Sequence, residues 1–567
     1  MKLMYRRIQR YFWTENTNPT KILTLLGFVF FLFLFLIYPL VKIYWVPIQF
    51  GKHPLALLMS LFENAGLIKS FRNTFLVLIG TVLISNLVAI PSAWLITRTN
   101  TPFAKTLKTL LSLPYAIPPF FGAIAWIFLA NPSNGVFNQI LGENTINIYN
   151  IYGLIFIESS FLFTFIFIST CAALEQMDSS LEEAAQISGA RPRRLFFAIT
   201  LPLIRSTLTN SSLLVALASL ASFGVPAMIG GPGGFKLLTT EIYQLQKMGT
   251  ESGLLKSISL SEFLLLITFF VILLTQFFTK NRSFQTVSGK TSRSNLIDLK
   301  SHRWTAFGLL VLLVTVVLIL PMGSLFVSAL SKQQGTLSYA NLSFDNFIRV
   351  LNETGELGRA FKNSMIIATT VAVLCTTFSF FLSLFMFYTR KKGLPLLNFL
   401  IALPNSVPGT VIAISLIYCF SRDFYGLNFS IYNTLSIFIL AFSIKYLNQA
   451  FKPVFDQLFR IHSSLIESAE TSGAPLFATF VKIWIPLIRP ALLASLFFVF
   501  IPSFSELTIS ILLTGPGMET IGTMIYQLQE YSDNYGGGSA VLACLIFLFI
   551  MINNFLLKKY SKGKYGL

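Results

Sequence analysis

The chain has 567 residues, of which 54% are hydrophobic and 11% charged, against roughly 45–50% and about 25% in an ordinary soluble domain. With a mean hydropathy of +0.70, it carries too little charge to clothe a soluble globule and too much apolar mass to stay disordered, which leaves an integral membrane protein. The net charge of +19 does not signal nucleic acid, because Lys and Arg cluster between hydrophobic runs, as cytoplasmic loops require.

Lys2, Arg6, Arg7 and Arg10 precede an apolar run from about Ile22 to Leu40. This run is longer than the apolar core of a signal peptide and no small-residue cleavage site follows, so an uncleaved first span is expected. Because backbone in lipid must satisfy its own hydrogen bonds, the apolar runs predict about twelve helical spans. They lie near 21–44, 72–96, 106–130, 151–174, 207–229 and 256–279, then near 304–330, 363–388, 394–420, 430–451, 490–513 and 539–557. Arg98, Lys105 and Lys108, then Arg191, Arg193 and Arg194, then Arg390, Lys391 and Lys392 mark cytoplasmic loops. Lys558, Lys559, Lys562 and Lys564 put the C-terminus on the same side as the N-terminus. Loops 131–150 and 514–538 have no Lys or Arg, although the outer loop 331–362 carries Lys332, Arg349 and Arg359.

A Ser/Thr-rich basic linker, 280–303, separates a first half, 1–279, from a second, 304–567. Cys171, Cys375, Cys419 and Cys544 sit in apolar runs without CxxC spacing and read as buried thiols. His53, His302 and His462 are too far apart in sequence to form a metal-binding pair.

The halves are repeats. Ser70-Phe71-Arg72-Asn73-Thr74 recurs as Ala360-Phe361-Lys362-Asn363-Ser364, and Leu113-Pro114-x-x-x-Pro118 as Leu403-Pro404-x-x-x-Pro408. Pro202-Leu203-Ile204-Arg205 recurs as Pro486-Leu487-Ile488-Arg489, and Ile242-Tyr243-Gln244-Leu245-Gln246 as Ile525-Tyr526-Gln527-Leu528-Gln529. An even number of spans per copy makes the halves parallel. The segments between spans four and five, near 176–205 and 457–489, therefore face one compartment, by charge the cytoplasm. The first reads Glu183-Ala184-Ala185, Gly189, then Ile199-Thr200-Leu201-Pro202; the second reads Glu467-Ser468-Ala469, Gly473, then Ile483-Trp484-Ile485-Pro486. Ser179-Ser180 and Ser463-Ser464 offer N-caps, each Gly offers a left-handed turn, and each Pro is the expected start of the next membrane helix. A short helix–turn–helix standing out of the bilayer is predicted twice.

These segments resemble the EAA loop of permease subunits of binding-protein-dependent ABC importers. The second copy departs at Ser468 and Ile485. The resemblance implies an all-α fold of two parallel six-helix halves and a coupling helix in each loop. It further implies that Glu183 and Glu467 make polar contacts in a groove of a cytoplasmic ATPase subunit, with Gly189 and Gly473 forming the turns. Two such ATPase subunits carrying ATP and Mg, and a periplasmic or lipid-anchored substrate-binding protein, are the implied partners, in a bacterial inner membrane. The fused layout, Leu238-Thr239-Thr240-Glu241-Ile242-Tyr243 and Glu506-Leu507-Thr508 look like the ferric-iron importer group; thiamine, aminophosphonate and polyamine permeases are related.

The chain itself offers no engine. A phosphate-cradling loop needs a leading Gly where Ser288-Gly289-Lys290-Thr291 has Phe284. An ion-gradient transporter would leave the repeated cytoplasmic motif unexplained, and a membrane enzyme would need a polar cluster that is not evident. Pro114, Pro118 and Pro119, with Pro404 and Pro408, line a translocation path or only kink packing helices. Glu158, Glu262 and Glu506 face a cavity or partner, or sit solvated at the membrane edge, since a mid-bilayer carboxylate costs roughly 2.5–3.5 kcal/mol. A wet acidic cavity around Glu506 would suit a cation.

Overall fold

The computed structural model describes residues 27–30, 33–177, 180–189, 192–279, 296–334, 338–352, 355–389, 394–421, 430–531 and 537–560. Outside them fall Ser179, Arg191, Arg390, Lys391, Lys392, Lys562, Lys564, the N-terminal basic cluster and most of the linker, including Ser288–Thr291. Among the described residues the fold is helical, with only two isolated β-bridges. Eight helices of 23 to 34 residues are long and apolar enough to cross a membrane, and three bent pairs bring the number to 11. The Leu435–Phe459 helix stands outside that set; it is 25 residues long and carries Lys445, Lys452 and Asp456. With it the total matches the expected dozen.

The repeat is visible element by element. Ala65–Arg98 and Glu356–Thr389 are both 34 residues long. Spans three and nine differ from their expected form: Ala104–Ala116 turns by 100° into Pro119–Ala130, and Leu397–Ser406 by 102° into Gly409–Phe420. Pro118 (ψ 128°) and Pro408 (ψ 137°) hold extended backbone at the corners, as expected where a residue precedes proline in the first copy. The half-helices beyond the corners are apolar all round and almost wholly buried, which fits elements enclosed by protein rather than lipid. Spans five and eleven break too. Leu201–Leu220 is followed by Gly224–Gly230, and Ile485–Phe504 by Ser510–Leu513.

The chain divides into two compact units that cut across the sequence halves. One holds Leu55–Asn352 and Ile525–Phe547. In it, Leu320–Leu330 packs on the Pro119–Ala130 half-helix, and Ser324 Oγ donates to the Ala125 carbonyl at 3.3 Å. The other holds Met1–Pro54, Glu353–Met524 and Leu548–Leu567. There, Tyr38–Lys42 packs on Gly409–Phe420, and Lys42 Nζ donates to the Cys419 carbonyl at 3.3 Å. In each unit a helix from a first span covers the half-helix behind a proline corner.

The first repeated sequence motif has a local task. A helix start leaves N–H groups without intrahelical partners. Thr74 Oγ1 accepts from the Leu238 N–H (3.0 Å), the first of helix Leu238–Lys247. Ser364 Oγ accepts from the Ile521 N–H (2.9 Å), the first of helix Ile521–Tyr531. Asn73 and Asn363 donate to the carbonyls of Lys236 (3.2 Å) and Glu519 (2.9 Å) just before those helices. Thr74→Val and Ser364→Ala are each expected to lower stability by about 1 kcal/mol, with Thr74→Ser near neutral; thermal unfolding of the purified chain measures this.

Candidate functional site

Both EAA-like segments fold as a short helix, a glycine turn and a second arm. The helices are Ser180–Ile187 and Ser463–Thr471. Gly189 has φ +82° and Gly473 φ +73°, and a Cβ at either would meet nothing within 4 Å. Left-handed backbone, not lack of space, demands glycine. In the second copy the Ala474 N–H donates to the Ala469 carbonyl at 3.0 Å, closing a Schellman turn. The cap there is His462, whose Nδ1 accepts from the Ser464 N–H at 3.3 Å; Ser463, an expected cap, is instead the first helical residue. Ala184 and Ser468 are exposed, and Ala185 and Ala469 half-buried. The side chains of Glu183 and Glu467 lie outside the described residues.

The next membrane helix does not start at Pro202 or Pro486. Pro192–Leu195 runs through a π turn, Phe196–Thr200, into Leu201–Leu220. Leu476–Thr479 runs through a π turn, Phe480–Trp484, into Ile485–Phe504. Each proline sits just past the widened turn, which accommodates the backbone N–H that proline lacks. Arm and span thus form one rod.

What seats the segments differs between copies. In the first, Glu182 lies 3.3 Å from Arg98 Nε, with side chains 8% and 3% exposed. Glu182 Oε1 also accepts from Thr200 Oγ1 at 2.7 Å. In the second, Trp484 packs edge-on against Phe387 (centroids 5.2 Å apart) among buried Leu458, Ile461 and Ile488. Glu182 directly precedes the motif glutamate and is itself buried.

The intramembrane carboxylates are buried, not solvated at an edge: Glu158, Glu262 and Glu506 are 1%, 0% and 5% exposed. Glu158 accepts from Ser219 Oγ at 2.7 Å and Thr81 Oγ1 at 3.5 Å. Among the described residues neither Glu262 oxygen has a hydrogen-bond partner. Glu506 caps the break in span eleven. Its oxygens accept from the N–H groups of Ile509 (2.9 and 3.0 Å) and Ser510 (3.0 Å), and Lys445 Nζ stands 3.2 Å away. A Cβ on Gly409 would come within 3.0 Å of that ammonium, so the ion pair sits against the Pro408 corner. Glu506 is therefore engaged and neutralised rather than open to a cation. Lys445 was legible by the same cost argument as the carboxylates. Pro114, Pro404 and Pro408 are buried and Pro118 half-buried at the two corners. Among the described residues no group of three or more His, Cys, Asp or Glu could hold a metal ion.

At the far end of the Leu201–Leu220 rod, beyond Gly224–Gly230, lies a cavity of about 290 Å³. Its lining includes Lys236, Tyr243, Gln244, Lys247, Tyr526 and Glu530. Tyr243 and Tyr526 are the equivalent tyrosines of the two repeat copies, and both rings contact Phe223, at 5.3 and 6.2 Å.

These elements define a transport permease built from two copies of one domain. The family described as "Binding-protein-dependent transport system inner membrane component" matches at residues 85–283 and 376–563, and the chain belongs to it as a multi-pass membrane protein. It is 27% identical over 546 residues to the ferric transport system permease protein FbpB of Actinobacillus pleuropneumoniae, covering 93% of this chain and 76% of that protein. It is 25% identical over 454 residues to the Fe(3+)-transport system permease protein FbpB 2 of Haemophilus influenzae, covering 80% and 82%. A bacterial alginate ABC transporter, solved in complex with an alginate pentasaccharide-bound periplasmic protein, has a chain that is 19% identical with a TM-score of 0.40, covering 46% of this chain and 93% of that one.

Lys445→Met and Glu506→Gln are each expected to destabilise the fold by about 2 kcal/mol, since each strands a buried partner. The double variant should recover about 1 kcal/mol of the summed loss. A double-mutant cycle in thermal unfolding reads that coupling.

Proposed function

We propose that this chain is the permease of an ATP-driven importer and that its cargo is ferric iron. Two cytoplasmic ATPase subunits seat on Ser180–Ile187 and Ser463–Thr471, presenting Glu183, Ala184 and Ala185 in one copy and Glu467, Ser468 and Ala469 in the other. ATP and Mg bind those subunits, both chain termini face the cytoplasm, and a binding protein delivers cargo from outside. The observation that carries this reading is the pair of short helices, each followed by a left-handed glycine and by an arm that runs through a π turn into a span. The ferric names of the two long relatives support the cargo.

Closure of the ATPase pair then pushes on each short helix, and the rod behind it moves as one piece. Within each unit, the half-helix behind the proline corner, at Pro118 or Pro408, and the break in the later span, at Ala221–Phe223 or Ser505–Ile509, are the elements we assign to that unit's share of the path. Glu158 and Glu506 position those elements instead of ligating cargo.

Gly189→Val with Gly473→Val forces β-branched residues into left-handed backbone, at about 1–2 kcal/mol each. The double variant should lose ATPase co-purification and drop ATP-dependent uptake of ferric iron about tenfold or more at equal permease level. The corresponding Asn variants should keep both, because Asn tolerates this conformation. Undiminished uptake in the Val variant would remove the coupling role; uptake of another cargo with no iron transport would remove the iron assignment.

A further inference from the structure

The cavity beyond Gly224–Gly230 has a lining unlike a bare cation site. Lys236, half-buried, and Lys247, exposed, face it together with one lining carboxylate, Glu530, which is also exposed. Glu241 pairs with Lys236 at 3.5 Å but is not part of the lining. The remaining polar groups are phenols, an amide, the Thr240 hydroxyl and glycine backbone. A trivalent cation entering alone would meet two ammonium groups, whereas an anion is attracted to them. The volume is at the small end of ligand sites, enough for a compact complex and not for an oligosaccharide.

Position adds a second argument. Tyr243 and Tyr526 come from matching places in the two repeat copies and line one cavity, so it lies where the copies' equivalent elements converge. The 20-residue helix Leu201–Leu220, about 30 Å long at 1.5 Å per residue, separates it along the chain from the first EAA-like segment. A site on the membrane face opposite the coupling helix is where cargo would enter.

We propose that this cavity admits cargo by its anionic oxygens. Iron passes as a complex that brings its own carboxylate or other oxyanion ligands. Lys236 and Lys247 engage those oxygens, and the hydroxyls of Tyr243 and Tyr526 donate to them. The iron clause rests on the permease reading above; the anion site does not.

The test uses the full chain in lipid nanodiscs, titrated calorimetrically with ferric citrate, citrate alone and inorganic phosphate. Wild type should bind ferric citrate saturably, more weakly as salt rises. Lys236→Gln with Lys247→Gln should weaken binding about tenfold or more, as expected for lost charged hydrogen bonds. Lys236→Arg with Lys247→Arg should stay within about threefold of wild type, which separates lost charge from lost fold. Equal affinity in the Gln double variant, or no binding of any of the three probes by wild type, overturns the proposal. In cells, wild-type iron uptake by the Gln double variant overturns it while leaving the permease reading intact. Charge-dependent citrate or phosphate binding by a chain that imports no iron upholds the anion site and removes the iron cargo.

Discussion

In hydrocarbon, a helix that breaks must find new partners for the backbone groups it exposes, at several kcal/mol for each one left bare. The fold is organised around that constraint. Span eleven can open at Ser505–Ile509 because the Glu506 carboxylate takes the N–H groups of Ile509 and Ser510, and Lys445 balances its charge. Span five can open after Leu220 because Thr239 Oγ1 donates to the Ser222 carbonyl at 2.7 Å. At the proline corners the backbone closes on itself, Ile117 N–H to the Pro114 carbonyl and Val407 N–H to the Pro404 carbonyl, both at 3.2 Å. Polar side chains that look like path residues in a hydropathy plot are first of all what lets these spans break.

The two copies reach one backbone geometry by different chemistry. At the repeat offset of the EAA-like segments, Ile466 stands where the first copy has Glu182, and Trp484 where it has Thr200. The seat of the first copy is polar: Glu182 pairs with Arg98 and accepts from Thr200, and displacement would strand buried charge. The seat around Trp484 is apolar and held by burial, which depends on area and not on angle. The two EAA-like segments are thus alike in backbone and held by different chemistry.

Much of this was legible in the sequence, and the reasons differ by element. The helical spans, the duplication and the left-handed glycines at 189 and 473 could be read because each rests on composition, recurrence or a backbone need tied to one residue type. The 100° corners could not, because Pro118-Pro119 in an apolar run has the same hydropathy whether the helix kinks or turns back. That Glu182 is buried needs the phase of a helix whose boundaries only the structure gives. Arg98 reads correctly as a cationic residue after span two, yet it is buried and paired rather than lying on a solvated loop. The grouping of Met1–Pro54 with 353–524 depends on contacts between remote segments, which local pattern does not encode.

Fusion of the halves has its own structural consequence at Arg98. The end of the linker pairs with the chain just after span two: the Ile297 N–H donates to the Arg98 carbonyl at 2.9 Å, and the Asn100 N–H donates to the Ile297 carbonyl at 3.2 Å. The Lys300 backbone N–H and then the Asn100 amide, which donates at 2.6 Å, hold the Asp298 carboxyl below its usual range. One residue therefore serves two connections, its carbonyl holding the linker and its guanidinium holding Glu182 of the first EAA-like segment. The linker is not a slack tether at this end. A movement that tilts Arg98 to release Glu182 must also disturb the linker's backbone pairing, so the end of the linker and the seat of the first EAA-like segment are tied to one residue.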